Sequence, residues 1–123
     1  GLPPRSAAME LDLDLLMAGR TPVAPAPVIG TMPVAKEDVA LLVPSDVPAV
    51  AVAAALQTGG GDLVESVRLF DEYTGDQVPS GQKSLAFALR FRAPDRTLTA
   101  DEVTAARQAA IAATADLGAR LRT

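Results

Sequence analysis

Arginine residues recur at alternate positions in two stretches of the chain, 90–92 and 120–122, and a further arginine at 68 has the same even parity in a third stretch. This spacing can place their guanidinium groups on one surface. Guanidinium groups bind phosphates, and an aromatic ring offers a plane on which a nucleobase can stack. One aromatic residue and one serine have the same even-numbered parity in their own stretches. One interpretation of this pattern is an RNA-binding surface formed by Arg68, Phe70, Ser84, Arg90, Arg92, Arg120 and Arg122.

A second interpretation of these arginines needs no ligand. They would lie on the solvent side of an antiparallel sheet, where charged residues are common, and pair with nearby carboxylates such as Asp38 or Glu72. The formal charge of -4 also argues against a generally basic coat for nucleic acid. Any contact with RNA must therefore come from a local patch.

Catalytic chemistry has few candidate residues. The chain contains no histidine and no cysteine, which removes the usual general base, the thiol nucleophile and the common ligands of zinc. The carboxylate pairs Asp71 with Asp76, and Asp95 with Glu102, are better explained by turns and helix capping. The glycine-rich stretch 75–84 leads into a strand and lacks phosphate-loop spacing. We predict no active site, metal or cofactor in this chain.

The arginines at 90 and 92 belong to a stretch that predicts a strand, a turn and a helix. Apolar residues occupy alternate positions from Leu85 to Phe91, which is typical of a strand with one buried face. Pro94 ends the strand because it has no amide hydrogen to donate. Thr99 and Glu102 have the spacing of a capping box, which predicts a helix over 100–117 with Gly118 as its C-terminal cap.

The rest of the chain supplies four further elements. We predict a strand over 38–43, a helix over 49–57 that ends at the glycine run 59–61, a strand over 63–73 with a bulge or an early end, and a short strand over 119–122. This order is βαββαβ, which predicts an α+β, ferredoxin-like sandwich. Its four-stranded antiparallel sheet would have the first and third strands at the centre, two helices on one face and the other face open.

The N-terminal region is predicted to lie outside this domain. Residues 8–15 alternate between apolar and acidic, which predicts a half-buried strand. It could be an edge strand of the following domain or, as we favour, the last strand of a truncated upstream module comprising residues 1–18. The proline-rich stretch 19–32 predicts an extended linker, so the domain itself would span 33–123. With no apolar run near the roughly 20 residues of a membrane span, we expect a cytoplasmic location.

Four ordered motifs carry a family resemblance. They are DVALLV at 38–43, LFDEYTG at 69–75, GQKSLAF at 81–87 and FRAPDRTLTADEV at 91–103. Together they resemble the C-terminal ferredoxin-fold anticodon-binding domain of bacterial phenylalanine–tRNA ligase beta subunits, over residues 33–123. Residues 1–14 also look like the closing strand of the catalytic-core-like module of that subunit.

The resemblance implies a non-catalytic domain of a class II aminoacyl-tRNA synthetase. Its partners would be the anticodon stem and loop of a tRNA and, in an α2β2 enzyme, the alpha subunit that carries the active site. ATP and magnesium would belong to the parent enzyme, with no cofactor in this chain. Because ferredoxin-like domains host unrelated functions, the alternative is a protein-interaction or small-molecule regulatory module.

Overall fold

The residues that the structure describes, 3–20, 23, 26 and 30–122 of a computed structural model, form three α-helices and four strands. In chain order these are α1 (Leu13–Ala18), β1 (Ala35–Pro44), α2 (Ala49–Gly59), β2 (Val64–Tyr73), β3 (Gln82–Phe91), α3 (Ala100–Ala112) and β4 (Arg120–Leu121). Short 3-10 turns follow α2 at Gly61–Leu63 and α3 at Ala115–Leu117.

The four strands make one antiparallel sheet in the order β2-β3-β1-β4. The two central strands pair over their whole length, from Ala35 opposite Phe91 to Pro44 opposite Gln82. From Val39 to Val43, strand β1 is apolar on both faces, which is typical of a central strand. The predicted ferredoxin-like α+β class, with the first and third strands at the centre, is confirmed.

One face of the sheet carries the core and both long helices. The odd-numbered residues from Val39 to Val43 in β1 and from Leu85 to Phe91 in β3 are buried, and α2 and α3 add apolar side chains above them. Phe87 and Phe91 are the largest side chains in this layer, and both are fully buried. The buried residues of the two helices are Val52, Leu56, Val103, Ala106 and Ala110. The strand parity read from the sequence therefore identifies the core side.

The edge strand β2 contains two register shifts, between Val64 and Ser66 and between Leu69 and Asp71. Glu65 and Phe70 are the extra residues, with no directly opposed residue on β3. A bulge reverses the parity of the residues beyond it. As a result, Asp71 and Tyr73 lie on the same side of the sheet as Arg68, which simple alternation along the strand would not give.

The predicted end of α3 is wrong by about one turn. The helix ends at Ala112, where Thr114 is buried and its hydroxyl donates to the carbonyl of Ile111 at 2.7 Å. A separate 3-10 turn follows, and Gly118 ends that turn with φ of 70°. Hydrogen bonding by the threonine side chain to a nearby carbonyl competes with continued α-helix.

The predicted strand over 8–15 is also wrong. Residues 13–18 form α1, because the Asp12 side chain accepts hydrogen bonds from the backbone amides of Asp14 and Leu15 at 2.9 and 3.1 Å. A strand needs a neighbour with which to pair, whereas a helix satisfies its own backbone. Every residue of α1 is exposed. In the predicted linker, residues 21–22, 24–25 and 27–29 lie outside the described residues, so the division at 18 and 32 stays a prediction.

Candidate nucleic-acid interface

The face of the sheet opposite the helices, here called the open face, carries the even-numbered side chains of β1 and β3. Residues directly opposite each other in an antiparallel pair project to the same side. Alanines occupy its middle, with Ala40 opposite Ala86 and Ala88 opposite Asp38. Because alanine side chains are short, the centre of the open face is a shallow depression, and longer side chains lie at its two ends.

The first group of long side chains lines a groove at the end of the sheet where β1 begins. Lys36 lies opposite Arg90, and Arg68 lies opposite Ala88. These three basic residues surround a groove of about 330 Å³ with Asp38 and Ser66. We call Lys36, Arg68 and Arg90 the β1-start cluster. The sequence interpretation missed Lys36 because it began the first strand at Asp38, although the even parity of Lys36 continues that strand.

The second group lies at the opposite end of the sheet, beside the loop between β2 and β3. Arg120 is opposite Leu42 and donates to the Oε1 of Gln82 at 3.0 Å. Arg122 reaches across the open face, donating to the Ser84 hydroxyl at 3.3 Å and to the Oε1 of Gln77 at 3.2 Å. We call Arg120 and Arg122 the β4 cluster. Together with Gln77, they line a groove of about 530 Å³.

An aromatic ring supports the β4 cluster. The guanidinium carbon of Arg122 lies 5.6 Å from the centroid of the Tyr73 ring, which is within cation–π range. Tyr73 and Ser84 are directly opposed across β2 and β3. Tyr73 was missed because simple alternation along β2 assigns its odd-numbered position to the core face. The bulge at Phe70 moves it to the open face.

Arg92 is used differently from the other predicted site residues. Its Nη1 donates to the carbonyls of Gly30 and Met32 at 2.6 and 2.7 Å, and its Nε lies 2.8 Å from the Glu65 carboxylate. The Nε–H is not aligned with that carboxylate, so the contact is an ion pair more than a hydrogen bond. A guanidinium held in this way fastens the segment before β1 to the domain, and we leave Arg92 out of the interface.

Two other predicted residues also change position. Ser84 is 4% exposed and lies beneath Arg122, so it orients that side chain and cannot meet a ligand itself. Phe70 is half exposed, but as the extra residue of a bulge it is not assigned to the open face by strand pairing. Of the seven predicted residues, Arg68, Arg90, Arg120 and Arg122 remain as accessible cations on one face.

The open face is locally positive in an acidic chain. Its strand residues include five basic side chains and two carboxylates, Asp38 and Asp71. Within the described residues, no carboxylate oxygen lies within 4.0 Å of a cationic nitrogen of either cluster. Of the two expected partners, Glu72 lies opposite Leu85 on the core side and pairs with Lys83 at 3.7 Å. The other, Asp38, lines the groove of the β1-start cluster without an ion pair within 4.0 Å. Within the described residues, neither cluster therefore forms a direct ion pair of the kind that the second interpretation expects.

Other types of site are not found in the part of the chain that the structure covers. No group of three or more acidic, histidine or cysteine side chains there is placed to hold a metal ion. Nor does that part contain a helix long and apolar enough to cross a membrane.

Known proteins match the chain closely. The family model of the ferredoxin-fold anticodon binding domain matches residues 30–122. Proteins described as phenylalanine–tRNA ligase beta subunit are similar to it: that of Thermobifida fusca is 57% identical over 99% of this chain, and that of Streptomyces avermitilis is 54% identical over 99%. A third, from Nocardia farcinica, is also 54% identical. The chain spans 14–15% of the length of these relatives. The resemblance noted in the sequence is thus confirmed, and the chain belongs to the family of ferredoxin-fold anticodon-binding domains.

Proposed function

We propose that this chain is the tRNA-binding domain of a phenylalanine–tRNA ligase beta subunit, and that it holds the anticodon stem and loop of the tRNA. The observation that supports this proposal is the open face, where two groups of basic side chains lie at either end of a shallow alanine centre. Among the described residues, neither group has a carboxylate within 4.0 Å. Guanidinium and ammonium groups in this state attract the phosphate backbone of RNA. The family description and the names of the relatives support the same function.

Binding by this domain would support aminoacylation of tRNA with phenylalanine without performing it. The chain offers no histidine or cysteine for catalysis. We propose that the reaction, with its ATP and magnesium, takes place elsewhere in a longer cytoplasmic enzyme, and that the alpha subunit is a partner there. The domain would then hold a distant part of the tRNA while another site handles its acceptor end.

The test compares two double variants in titrations with phenylalanine tRNA and a second tRNA. Arg68→Gln with Arg90→Gln removes two charges from the β1-start cluster. We expect weaker binding and a log–log salt dependence that is shallower by roughly 0.7–0.9 for each phosphate that is no longer neutralised. Both positions are exposed, so the fold should be unaffected.

The control removes the same charge from the helix layer. Arg96→Gln with Arg107→Gln alters a residue just before α3 and one on it. The ion pair between Arg96 and Glu102 is exposed and is expected to contribute little to stability. The pair between Arg107 and Glu37 is partly buried and is expected to contribute about 1 kcal/mol or less. Binding and its salt dependence should stay close to those of the unchanged chain. Equal effects of the two double variants, or no saturable binding of either tRNA by the unchanged chain, would overturn the proposed function. Saturable binding of a protein or metabolite instead would favour the regulatory module.

A further inference from the structure

The two arginines of the β4 cluster have neutral hydrogen-bond partners, whereas three other arginines form ion pairs. Arg92, Arg96 and Arg107 each lie against a glutamate carboxylate. Arg120 and Arg122 instead donate to neutral oxygens, the side-chain amides of Gln82 and Gln77 and the hydroxyl of Ser84. Among the described residues, no carboxylate completes either of these two sites.

A neutral partner orients a guanidinium group without cancelling its charge. The amide oxygen of glutamine accepts one N–H in the same geometry as a carboxylate oxygen, but it brings no negative charge. Arg122 is further restrained by the face of the Tyr73 ring. These long side chains are therefore already ordered in the free protein, so they lose less conformational entropy when a ligand binds.

Unused donors of both arginines remain available to the groove that they line. A guanidinium has five N–H donors. Each terminal nitrogen of Arg122 donates one N–H, to Ser84 or to Gln77, and one terminal nitrogen of Arg120 donates to Gln82. The remaining N–H groups of both side chains have no partner in these bonds. The groove of about 530 Å³ beside them is also lined by Leu42, Pro79 and Leu121, which have no charge. Among the described residues that line this groove, an anion would meet two cations and no carboxylate.

We propose that the β4 cluster is a preorganised phosphate subsite, in which Gln77 and Gln82 hold Arg122 and Arg120 ready for a phosphate group of the RNA backbone. This inference rests on the proposed function and names one contact within it. RNA is favoured over an acidic peptide because a second cationic groove lies on the same face. Ser84 and Arg90 are six positions apart on β3, a distance of about 20 Å along the strand. A continuous phosphate backbone carries regularly spaced charge over such a distance.

The sharpest test changes the glutamines and leaves the arginines in place. Gln77→Glu and Gln82→Glu keep the size of the side chain and its acceptor oxygen, but each turns one arginine into an ion pair. The control, Gln108→Glu, adds the same charge at an exposed position of α3 on the helix layer. Unfolding midpoints in urea, measured for all three variants, should match that of the unchanged chain.

Each glutamate in the β4 cluster should weaken tRNA binding by roughly three- to tenfold and make the salt dependence shallower by about 0.7–0.9, the effect expected when one phosphate is no longer neutralised. Gln108→Glu should change both values much less. If all three variants behave alike while Arg68→Gln with Arg90→Gln still weakens binding, the phosphate subsite is overturned and the proposed function stands. No saturable tRNA binding by the unchanged chain would overturn both.

A second measurement uses the unchanged chain and so does not depend on the folding of a variant. The Nε–H signals of Arg120 and Arg122 in a ¹⁵N NMR spectrum should shift saturably when an RNA hairpin is added. They should shift much less with a polyglutamate peptide of equal total charge. Equal shifts with the peptide would overturn the assignment to RNA phosphate.

Discussion

Arg92 and Arg122 both have even parity and both cross from their strands toward other segments, yet their surroundings differ in charge. Arg92 meets Glu65 and two backbone carbonyls, and its side chain is 21% exposed. Arg122 meets an amide, a hydroxyl and an aromatic ring. The first arrangement satisfies a cation and stabilises the fold, whereas the second orients a cation that is still able to attract an anion.

Thr99 is a residue whose structural role is local and can be measured. Its hydroxyl accepts from the Glu102 amide at 3.3 Å, and the Glu102 carboxylate accepts from the Thr99 amide at 2.9 Å, so the predicted capping box is confirmed. We expect Thr99→Ala to lower the free energy of unfolding by about 1 kcal/mol, in the usual range for removal of an N-cap. Urea denaturation measures this difference.

The control for this prediction is Thr104→Ala, an exposed threonine in the interior of α3. Alanine favours helix more than threonine does, so this change should leave stability equal or slightly higher. Equal losses of stability in the two variants would mean that the capping box does not stabilise the helix.

Glu102 makes stability depend on pH. Hydrogen bonds from the backbone amide and the side chain of Thr99, together with the charge of Arg96, hold the pKa of its carboxyl below the ordinary value of 4.5. Because the unfolded chain binds this proton more readily, the contribution is fully present above pH 4.5 and is lost as the pH falls through the lower, folded pKa. Glu102→Gln keeps an acceptor oxygen but has no proton to gain.

We therefore expect the stability difference between the unchanged chain and Glu102→Gln to shrink as the pH is lowered from about 7 to about 3. Urea midpoints at several pH values measure this difference. A difference that stayed constant over the whole range would show that the folded pKa of Glu102 is not lowered.

The packing of the two long helices depends on a glycine at the end of α2. A Cβ atom added at Gly59 would lie 2.3 Å from the Cβ of Ala113 and 2.9 Å from the carbonyl oxygen of Ala109. Both distances are shorter than van der Waals contact, and the second involves backbone that cannot easily move. At the level of elements, the glycine run thus ends α2 and also lets α3 cross it closely.

For Gly59→Ala we expect a decrease of about 1–3 kcal/mol in the free energy of unfolding, the usual cost of overpacking. Gly19→Ala is the matched control, because an added Cβ there meets nothing closer than 3.7 Å. Thermal or urea unfolding of both variants measures the contrast. Similar stability in the two would indicate that the helices separate without cost.

At the scale of the whole molecule, the described residues before residue 30 add no buried side chain to the core. None of the residues of α1 is buried, whereas Gly30 and Met32 are bound by Arg92. The family match likewise begins at residue 30. We therefore predict that residues 30–32, the last of the predicted linker, stabilise the domain that was predicted to start at 33.

Two shortened chains with acetylated N-termini test this boundary. A chain that begins at Ala26 keeps both carbonyl partners of Arg92, and we expect its unfolding free energy to equal that of the longer chain. A chain that begins at Val34 lacks both, which leaves a largely buried guanidinium with fewer acceptors and should cost about 1–3 kcal/mol. Equal stability of the two would show that the hydrogen bonds of Arg92 do not hold the segment.

Much of the fold follows from local patterns in the sequence. The period of two over residues 85–91, the spacing of Thr99 and Glu102, and the glycines after α2 each depend on neighbours within a few residues, so the corresponding elements could be predicted. Errors arose where a local alternative competed. Asp12 caps a helix in place of the predicted strand, and Thr114 ends α3 early.

The sequence alone determined on which side of the sheet Arg68, Arg90, Arg120 and Arg122 lie, because side chains of a strand alternate with a period of two. Only the tertiary structure decided which guanidinium groups are neutralised. Arg92 meets a carbonyl 62 residues away, and Arg122 meets an amide 45 residues away. Periodicity assigns a side chain to a face but does not name its distant neighbours. In this chain, those neighbours separate the arginine that fastens the fold from those available to bind phosphate.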